Sequence, residues 1–205
     1  MRHTLAIVFL CMITIAATAS TRAQGTPAAD VVETLHAALL GVMREADSLG
    51  FAGRRDRLAP VVEGAFDLPL IARASTGRHW KKLDEAQRAR LVDAFTRLTV
   101  ATYAGRFDGY GGESFRIVSQ GPAPRETMLV NSELVKSDGD TVALNYLLRE
   151  TDAGWRIVDV YLDGVYSELA TRRSVYAGLI RNEGIEGLIA AIEDKIGKYE
   201  SGALD

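Results

Sequence analysis

Residues 141–166 read TVALNYLLRETDAGWRIVDVYLDGVY, and this stretch decides the fold. Apolar side chains recur at every second position on both sides of a turn: Val142, Leu144, Tyr146 and Leu148 before it, and Val158, Val160 and Leu162 after it. Successive side chains of a strand point to opposite faces, so each arm has one apolar face. The intervening Asp152 and Gly154 favour a turn of several residues. The stretch predicts a β-hairpin with one buried face.

Two further strands are predicted just before this hairpin. Phe115 and Ile117 indicate the first, and Met128, Val130 and Leu134 mark the apolar side of the second. The segment 121–124 predicts the turn between them, and Asp138-Gly139 is a strong hairpin signal. Short turns between consecutive strands predict a four-stranded antiparallel meander over residues 111–166.

Helical spacing of apolar residues surrounds the predicted sheet on both sides. In residues 24–110, Asp30 and Glu33 predict a capping box, Gly50 the end of that first helix, and Pro60 a break or kink in the next. Asp84 and Gln87 open the longest helix, which is predicted to reach about Gly109. Its segment 100–105 carries no charge, which indicates that neighbouring elements enclose it.

A pair of C-terminal helices is predicted in residues 167–200, with a break at residues 182–184. The predicted class is therefore α+β: a cone-like antiparallel sheet, similar to nuclear transport factor folds, packed by helices before and after it. Residues 24–205 are interpreted as one domain, since this length can bury a sizeable core.

The first 23 residues have the composition of a secretory signal peptide. A short basic start precedes an apolar run from Leu5 to Ala16, and small residues follow. That run is too short to span a bilayer comfortably. The alternative interpretation is an uncleaved anchor. Cys11 is the only cysteine and lies in this run, so the predicted exported chain contains no disulfide. The net charge of −3, with no long basic cluster, argues against nucleic acid as a partner.

Candidate catalytic groups are few. Beyond the leader the chain contains no Cys and only His36 and His79, which are far apart and supply neither a triad nor a metal site. No cofactor motif is present. Asp159 lies between valines, and a small enzyme of the cone-shaped class could use such a buried acid with a tyrosine such as Tyr103. The alternative for Asp159 is a structural ion pair with Arg73, Arg78 or Arg173.

The chain from Phe66 to Ile192 resembles the MlaC / toluene-tolerance family of periplasmic lipid-binding proteins. The matching pieces follow the family's order: Phe66-Asp67-Leu68, Ala72-Arg73, Gly77-Arg78-His79-Trp80, Gln87-Arg88-Ala89-Arg90-Leu91, Thr102-Tyr103, Trp155-Arg156-Ile157-Val158-Asp159-Val160, Gly164-Val165, Arg173 and Gly184-Ile185-Glu186-Gly187-Leu188-Ile189. Residues 166–176 depart from the usual pattern and look like HpnM, the branch associated with hopanoid biosynthesis.

The resemblance implies a monomeric, non-enzymatic periplasmic shuttle that carries a phospholipid or a hopanoid between the inner and outer membranes. Its implied partners are the lipid and the ABC or RND transporter components of the two membranes. A filled core, as in an adaptor protein, is the alternative to a cavity. If a cavity lies between sheet and helices, the residues predicted to line it are Phe95, Leu98, Tyr103, Phe107, Tyr110, Ile117, Val130, Val142, Leu144, Tyr146, Val158, Val160, Leu162, Val165, Tyr176, Leu179, Ile180, Ile185 and Leu188.

Overall fold

A computed structural model of the chain describes residues 27–204, so the proposed signal peptide lies outside the described residues. The helices are α1 (Pro27–Arg44), α2 (Ala46–Ala65), α3 (Leu68–Thr76), α4 (Glu85–Arg106) and α5 (Glu168–Glu200), and a 3₁₀ segment (Gly77–Lys82) joins α3 to α4. The strands are β1 (Ser114–Ala123), β2 (Thr127–Val135), β3 (Thr141–Thr151), β4 (Gly154–Leu162) and β5 (Tyr166–Ser167). The α+β class is confirmed. No helix within residues 27–204 has the length and apolar character of a membrane span.

The sheet is antiparallel throughout and follows the chain order β1-β2-β3-β4-β5. The predicted meander is correct, but the number of strands is five rather than four. The additional strand, β5, contains only two residues and returns along β4 after a turn in which Asp163 and Gly164 both have positive φ. Two residues are too few to produce an alternation of apolar and polar side chains, so the sequence pattern could not reveal β5.

The central hairpin has the predicted register over most of its length. Tyr146 lies opposite Val160 on one side and Val130 on the other, so these three side chains share the face covered by helices. A β-bulge at Val158 then shifts the alternation by one residue. Ile157 therefore pairs with Leu148 and is fully buried, although strict alternation from Val158 would place it on the mixed face.

Several predicted boundaries in the N-terminal half are wrong. Helix α1 begins at Pro27, so Asp30 lies inside its first turn and does not cap it. The break after α1 comes at Glu45, whereas Gly50 forms a kink inside α2 with φ of 57°. Pro60 also lies inside α2, on its exposed side, where water can solvate the carbonyl left without an N–H partner.

Other predicted helix ends are confirmed or move only slightly. Asp84 and Gln87 form the predicted capping box of α4, with Asp84 Oδ1 accepting from Gln87 N at 2.8 Å. Helix α4 ends at Arg106 rather than near Gly109. The predicted break between the C-terminal helices is a kink in α5 at Gly184, where φ is 72°. The predicted turn at 121–124 is instead the end of β1, which runs to Ala123.

The uncharged half of α4 is enclosed, as predicted. Val100, Ala101, Ala104 and Gly105 are all buried, and α4 contacts α2, α3 and α5. Helices α4 and α5 pack closely at Gly105, where a Cβ would lie 2.5 Å from Cδ1 of the Tyr199 ring of α5. The absence of a side chain at Gly105 therefore allows the two helices to approach each other.

This close approach generates a prediction for Gly105→Ala. The added methyl group overlaps a buried aromatic ring, so we expect the free energy of unfolding to fall by about 1–3 kcal/mol. The matched control is Gly41→Ala in α1, where an added Cβ has no neighbour within 4 Å and helix propensity should raise stability by about 0.5–1 kcal/mol. Urea unfolding followed by circular dichroism measures both. Equal stability of the two variants would contradict the packing argument.

Candidate functional site

Strand β4 positions the beginning of α3. Asp67 N donates to Ile157 O at 2.9 Å, and Phe66 forms an isolated parallel bridge with Ile157. The Asp67 carboxylate then accepts from Leu70 N at 3.1 Å, which satisfies one of the free N–H groups in the first turn of α3. The start of α3 is thereby fixed beside the bulge in β4.

The same strand positions the beginning of α5 through Asp159. Its Oδ1 accepts from Val160 N at 2.8 Å and Leu169 N at 3.0 Å, and its Oδ2 accepts from Ser167 Oγ at 2.6 Å. Ser167 Oγ in turn accepts from Ala170 N at 2.9 Å and caps α5. Asp159 is therefore a structural anchor that joins the edge of the sheet to the last helix.

Neither of the sequence interpretations of Asp159 describes this arrangement. Within the described part of the chain Asp159 forms no salt bridge, so the expected pair with Arg73, Arg78 or Arg173 is absent and that expectation is wrong. A role as a general base is disfavoured, because both carboxylate oxygens already accept hydrogen bonds. Burial raises the pKa of Tyr103 well above its ordinary value, so this hydroxyl stays protonated at neutral pH.

A small interior cavity lies between α3, α4, β4 and the first turn of α5. Its volume is about 50 Å³, enough for a few water molecules or a short stretch of an alkyl chain. Its walls are mainly apolar, with polar groups from α4 and β4 and charged ones from the start of α5. Its lining residues are Phe66, Leu68, Ile71, Thr99, Tyr103, Val158, Asp159, Val160, Glu168, Leu169 and Arg172.

A larger cleft of about 300 Å³ lies between α4 and the two halves of α5. The floor of this cleft is mainly apolar, and its residues are buried or half-buried: Leu98, Thr102, Tyr176, Leu179, Leu188, Ala191 and Ile192. Val175 also lines the cleft but is exposed. Its remaining lining residues are Thr171, the cations Arg106, Arg172 and Lys195, and the carboxylate Glu168. An apolar floor with a charged rim suits a ligand that is itself amphipathic.

Glu168 and Arg172 belong to the walls of both spaces and separate the cavity from the cleft. Arg172 Nη2 lies 3.8 Å from Glu168 Oε2, and both side chains are about one-quarter exposed (25% and 26%). The guanidinium carbon of Arg172 also lies 5.2 Å from the centre of the Phe95 ring, within the range of a cation–π contact. The separating wall therefore consists of two flexible side chains rather than backbone.

The structure brings together only some of the residues predicted to line a cavity. Tyr103, Val158 and Val160 line the interior cavity, and Leu98, Tyr176, Leu179 and Leu188 line the cleft. The others pack elsewhere in the core or lie half-buried: Phe95, Phe107, Ile117, Val130, Val142, Leu144, Tyr146, Leu162, Ile180 and Ile185. Tyr110 and Val165 are exposed, at 44% and 69%, and line neither space.

Sequence reasoning missed the polar half of the site. Apolar periodicity does not identify Glu168, Arg172 and Arg106, because it marks only the side chains that avoid water. The sequence does contain a pattern that identifies Glu168 and Arg172. Along α5, intervals of three and four residues connect Glu168, Thr171, Val175 and Leu179, and an interval of four connects Arg172 with Tyr176. Such spacing places side chains on one helix face whether they are polar or apolar.

His36 is a core residue away from both spaces. Its ring stacks on Phe115 with centroids 4.1 Å apart, and its Nε2 lies 3.1 Å from the Tyr146 hydroxyl. Burial lowers the pKa of His36 from 6.5 to about 4. Among the described residues no group of three or more His, Cys, Asp or Glu is placed to hold a metal ion.

The Asp159 geometry generates a prediction about stability. Asp159→Ala should lower the free energy of unfolding by about 2–3 kcal/mol, because Ser167 Oγ and Leu169 N each lose a charged acceptor. Asp159→Asn retains one carbonyl acceptor and should cost less. Both variants should bind whatever ligand the parent binds, once folded, as thermal unfolding and a ligand titration would show. Lost binding with unchanged stability would indicate a direct chemical role for Asp159.

The buried histidine generates a prediction about pH. Since the native pKa of His36 is near 4 and an unfolded histidine has a pKa of 6.5, only the unfolded state gains a proton between these values. Stability is therefore fully retained above pH 6.5 and falls as the pH drops toward 4, by about 3 kcal/mol from this group. Urea unfolding of His36→Gln should lack this component, and an identical pH dependence in variant and parent would contradict it.

Comparisons with known proteins agree with the described architecture. The profile of the family described as MlaC protein matches residues 33–194. No curated protein matches the sequence significantly. The crystal structure of a phospholipid-binding protein from Ralstonia solanacearum, in complex with a phospholipid, is similar with a TM-score of 0.74 and 19% identity. The similarity covers 84% of this chain and 98% of the other, and at this identity it shows that the two share a fold.

Proposed function

The chain belongs to the MlaC family, and we propose that it binds a lipid and carries it through the periplasm between the inner and outer membranes. The observation that carries this proposal is the cleft of about 300 Å³ between α4 and α5, with its apolar floor and charged rim. The structural relative from Ralstonia solanacearum, which holds a phospholipid in the same fold, supports it.

The physical basis of the proposal is the burial of acyl chains. Each CH₂ group that leaves water contributes about 0.8 kcal/mol, so even part of one chain on the cleft floor gives substantial affinity. The cleft volume of about 300 Å³ lies at the small end of ligand pockets, which hold ~300–1,000 Å³. We propose that the lipid enlarges this space by displacing the Glu168–Arg172 wall, so that a chain reaches the interior cavity.

Several finer features belong to the same proposal. The proposed cargo is a phospholipid or a hopanoid, the latter suggested by the HpnM-like segment at residues 166–176. The proposed partners are transporter components of the inner and outer membranes, which load and unload a monomeric carrier. The proposed signal peptide in residues 1–23 directs export and is then cleaved.

Filling the cleft tests this function. The exported protein should release a lipid into an organic extract, as detected by mass spectrometry, and Ala191→Trp should abolish this because the indole occupies the cleft floor. Ala190→Trp is the matched control, since Ala190 is exposed on the same helix and does not line the cleft. An extract of the parent without lipid, or equal lipid in both variants, would refute binding in this cleft.

A further inference from the structure

We infer that the lipid bound in the α4–α5 cleft has a net negative, phosphate-bearing headgroup, which rests on the proposed function of this same cleft. The headgroup is held by three cations of the cleft wall, Arg106, Arg172 and Lys195. The inference distinguishes between cargoes that share apolar chains and differ in the charge of the polar end.

The sign of the local charge is the first argument. Three basic side chains and one carboxylate, Glu168, line the cleft, although the whole chain has a net charge of −3. The cleft is therefore a positive patch on a negatively charged protein, and it is complementary in charge to an anionic headgroup. Arg106 and Lys195 are exposed, and so stand where a polar headgroup would remain in contact with water while its chains lie on the floor.

The availability of these cations is the second argument. Neighbouring acids of α5 already have other partners: Glu193 accepts from Arg97 Nη1 at 2.8 Å, and Asp194 lies 2.6 Å from Lys198 Nζ. In the part of the chain that the structure describes, neither Arg106 nor Lys195 forms a salt bridge or a hydrogen bond through its side chain. Arg97 and Lys198 are occupied by these acids, whereas Arg106 and Lys195 at the cleft remain free to bind a ligand.

The chemistry of the third cation is the third argument. Arg172 is held at the boundary of the cavity by Glu168 and Phe95, with its guanidinium aligned over the aromatic ring. A guanidinium can donate two parallel hydrogen bonds to a phosphate. A phosphate in the cleft would compete with Glu168 for Arg172 and so loosen the wall that closes the cavity. A neutral polyol headgroup, as in a hopanoid, has no charge to compete with that carboxylate.

Retention of matched lipids by the full exported protein, stripped of its own lipid, tests the inference. Vesicles contain phosphatidylglycerol or phosphatidylcholine with identical acyl chains, and the lipid retained after separation from the vesicles is measured. The parent should favour phosphatidylglycerol. Lys195→Gln and Arg106→Gln should each reduce that preference about fivefold. Lys198→Gln is the control. Lys198 lies nearly one helical turn after Lys195, is paired with Asp194 and does not line the cleft.

A variant that should change the lipid preference in the opposite direction provides a second test. Glu168→Gln removes the only carboxylate among the cleft residues and should increase the preference for phosphatidylglycerol about fivefold. Raising the salt concentration from about 0.1 M to 1 M should reduce the preference of the parent, because it screens exposed charges. If the preference for phosphatidylglycerol changed in the same direction in all four variants, including Lys198→Gln, the inference would be overturned.

The outcomes also separate this inference from the proposed function. Equal retention of both phospholipids by the parent overturns the inference and leaves lipid carriage intact, and retention of neither overturns the inference as well. Lipid carriage itself is refuted only if the organic extract of the exported protein also contains no lipid. Inorganic phosphate is the remaining probe. If phosphate alone binds with the same dependence on Arg106 and Lys195 while no lipid is retained, the cleft is a site for a free anion and the lipid headgroup is excluded.

Discussion

The hydrogen bonds of the Asp159 carboxylate determine where the last helix begins, and the rest of the site depends on them. One side chain at the bulged edge of β4 holds both Ser167 and Leu169, so α5 starts against the sheet. Ile157 holds the start of α3 two residues earlier through its carbonyl oxygen. Two of the three helices that line the interior cavity, α3 and α5, thus begin at one short segment of β4. A buried carboxylate that serves this purpose must accept several hydrogen bonds, and this occupies the oxygens that acid–base catalysis would require.

Close packing of α4 explains why the interior space is small. Its uncharged half lies among α2, α3 and α5, and Gly105 allows Tyr199 to approach the helix backbone. Aromatic rings fill the remaining gap toward the first strand: Tyr103 stacks with Phe107, which lies 6.1 Å from Phe115. Most of the apolar sheet face therefore belongs to a dense core. The larger space available to a ligand lies between α4 and α5, where aliphatic and charged side chains form most of the lining.

The arrangement of an apolar floor and a charged rim in the cleft is the physical basis of the proposed selectivity for a headgroup. An apolar floor alone would bind any acyl chain, because the gain from burying CH₂ groups does not depend on the headgroup. Charges at the rim act on the part of the lipid that stays near water, where they discriminate by sign. Arg172 connects the apolar core with the charged rim, since it contacts the Phe95 ring and also lines the cleft. Its position is in turn a consequence of where Asp159 starts α5.

The sequence alone predicts the α+β class, the order of strands β1 to β4, the cap of α4 and the break at Gly184, because these depend on local periodicity and on short-range turn and cap chemistry. Tertiary structure decided the rest. The bulge at Val158, the two-residue strand β5 and the role of Asp159 depend on contacts between segments distant in sequence. The same holds for the cleft: helical spacing indicates which side chains of α4 and α5 avoid water, but only the packing of the two helices determines which of them contact each other and which face an open space.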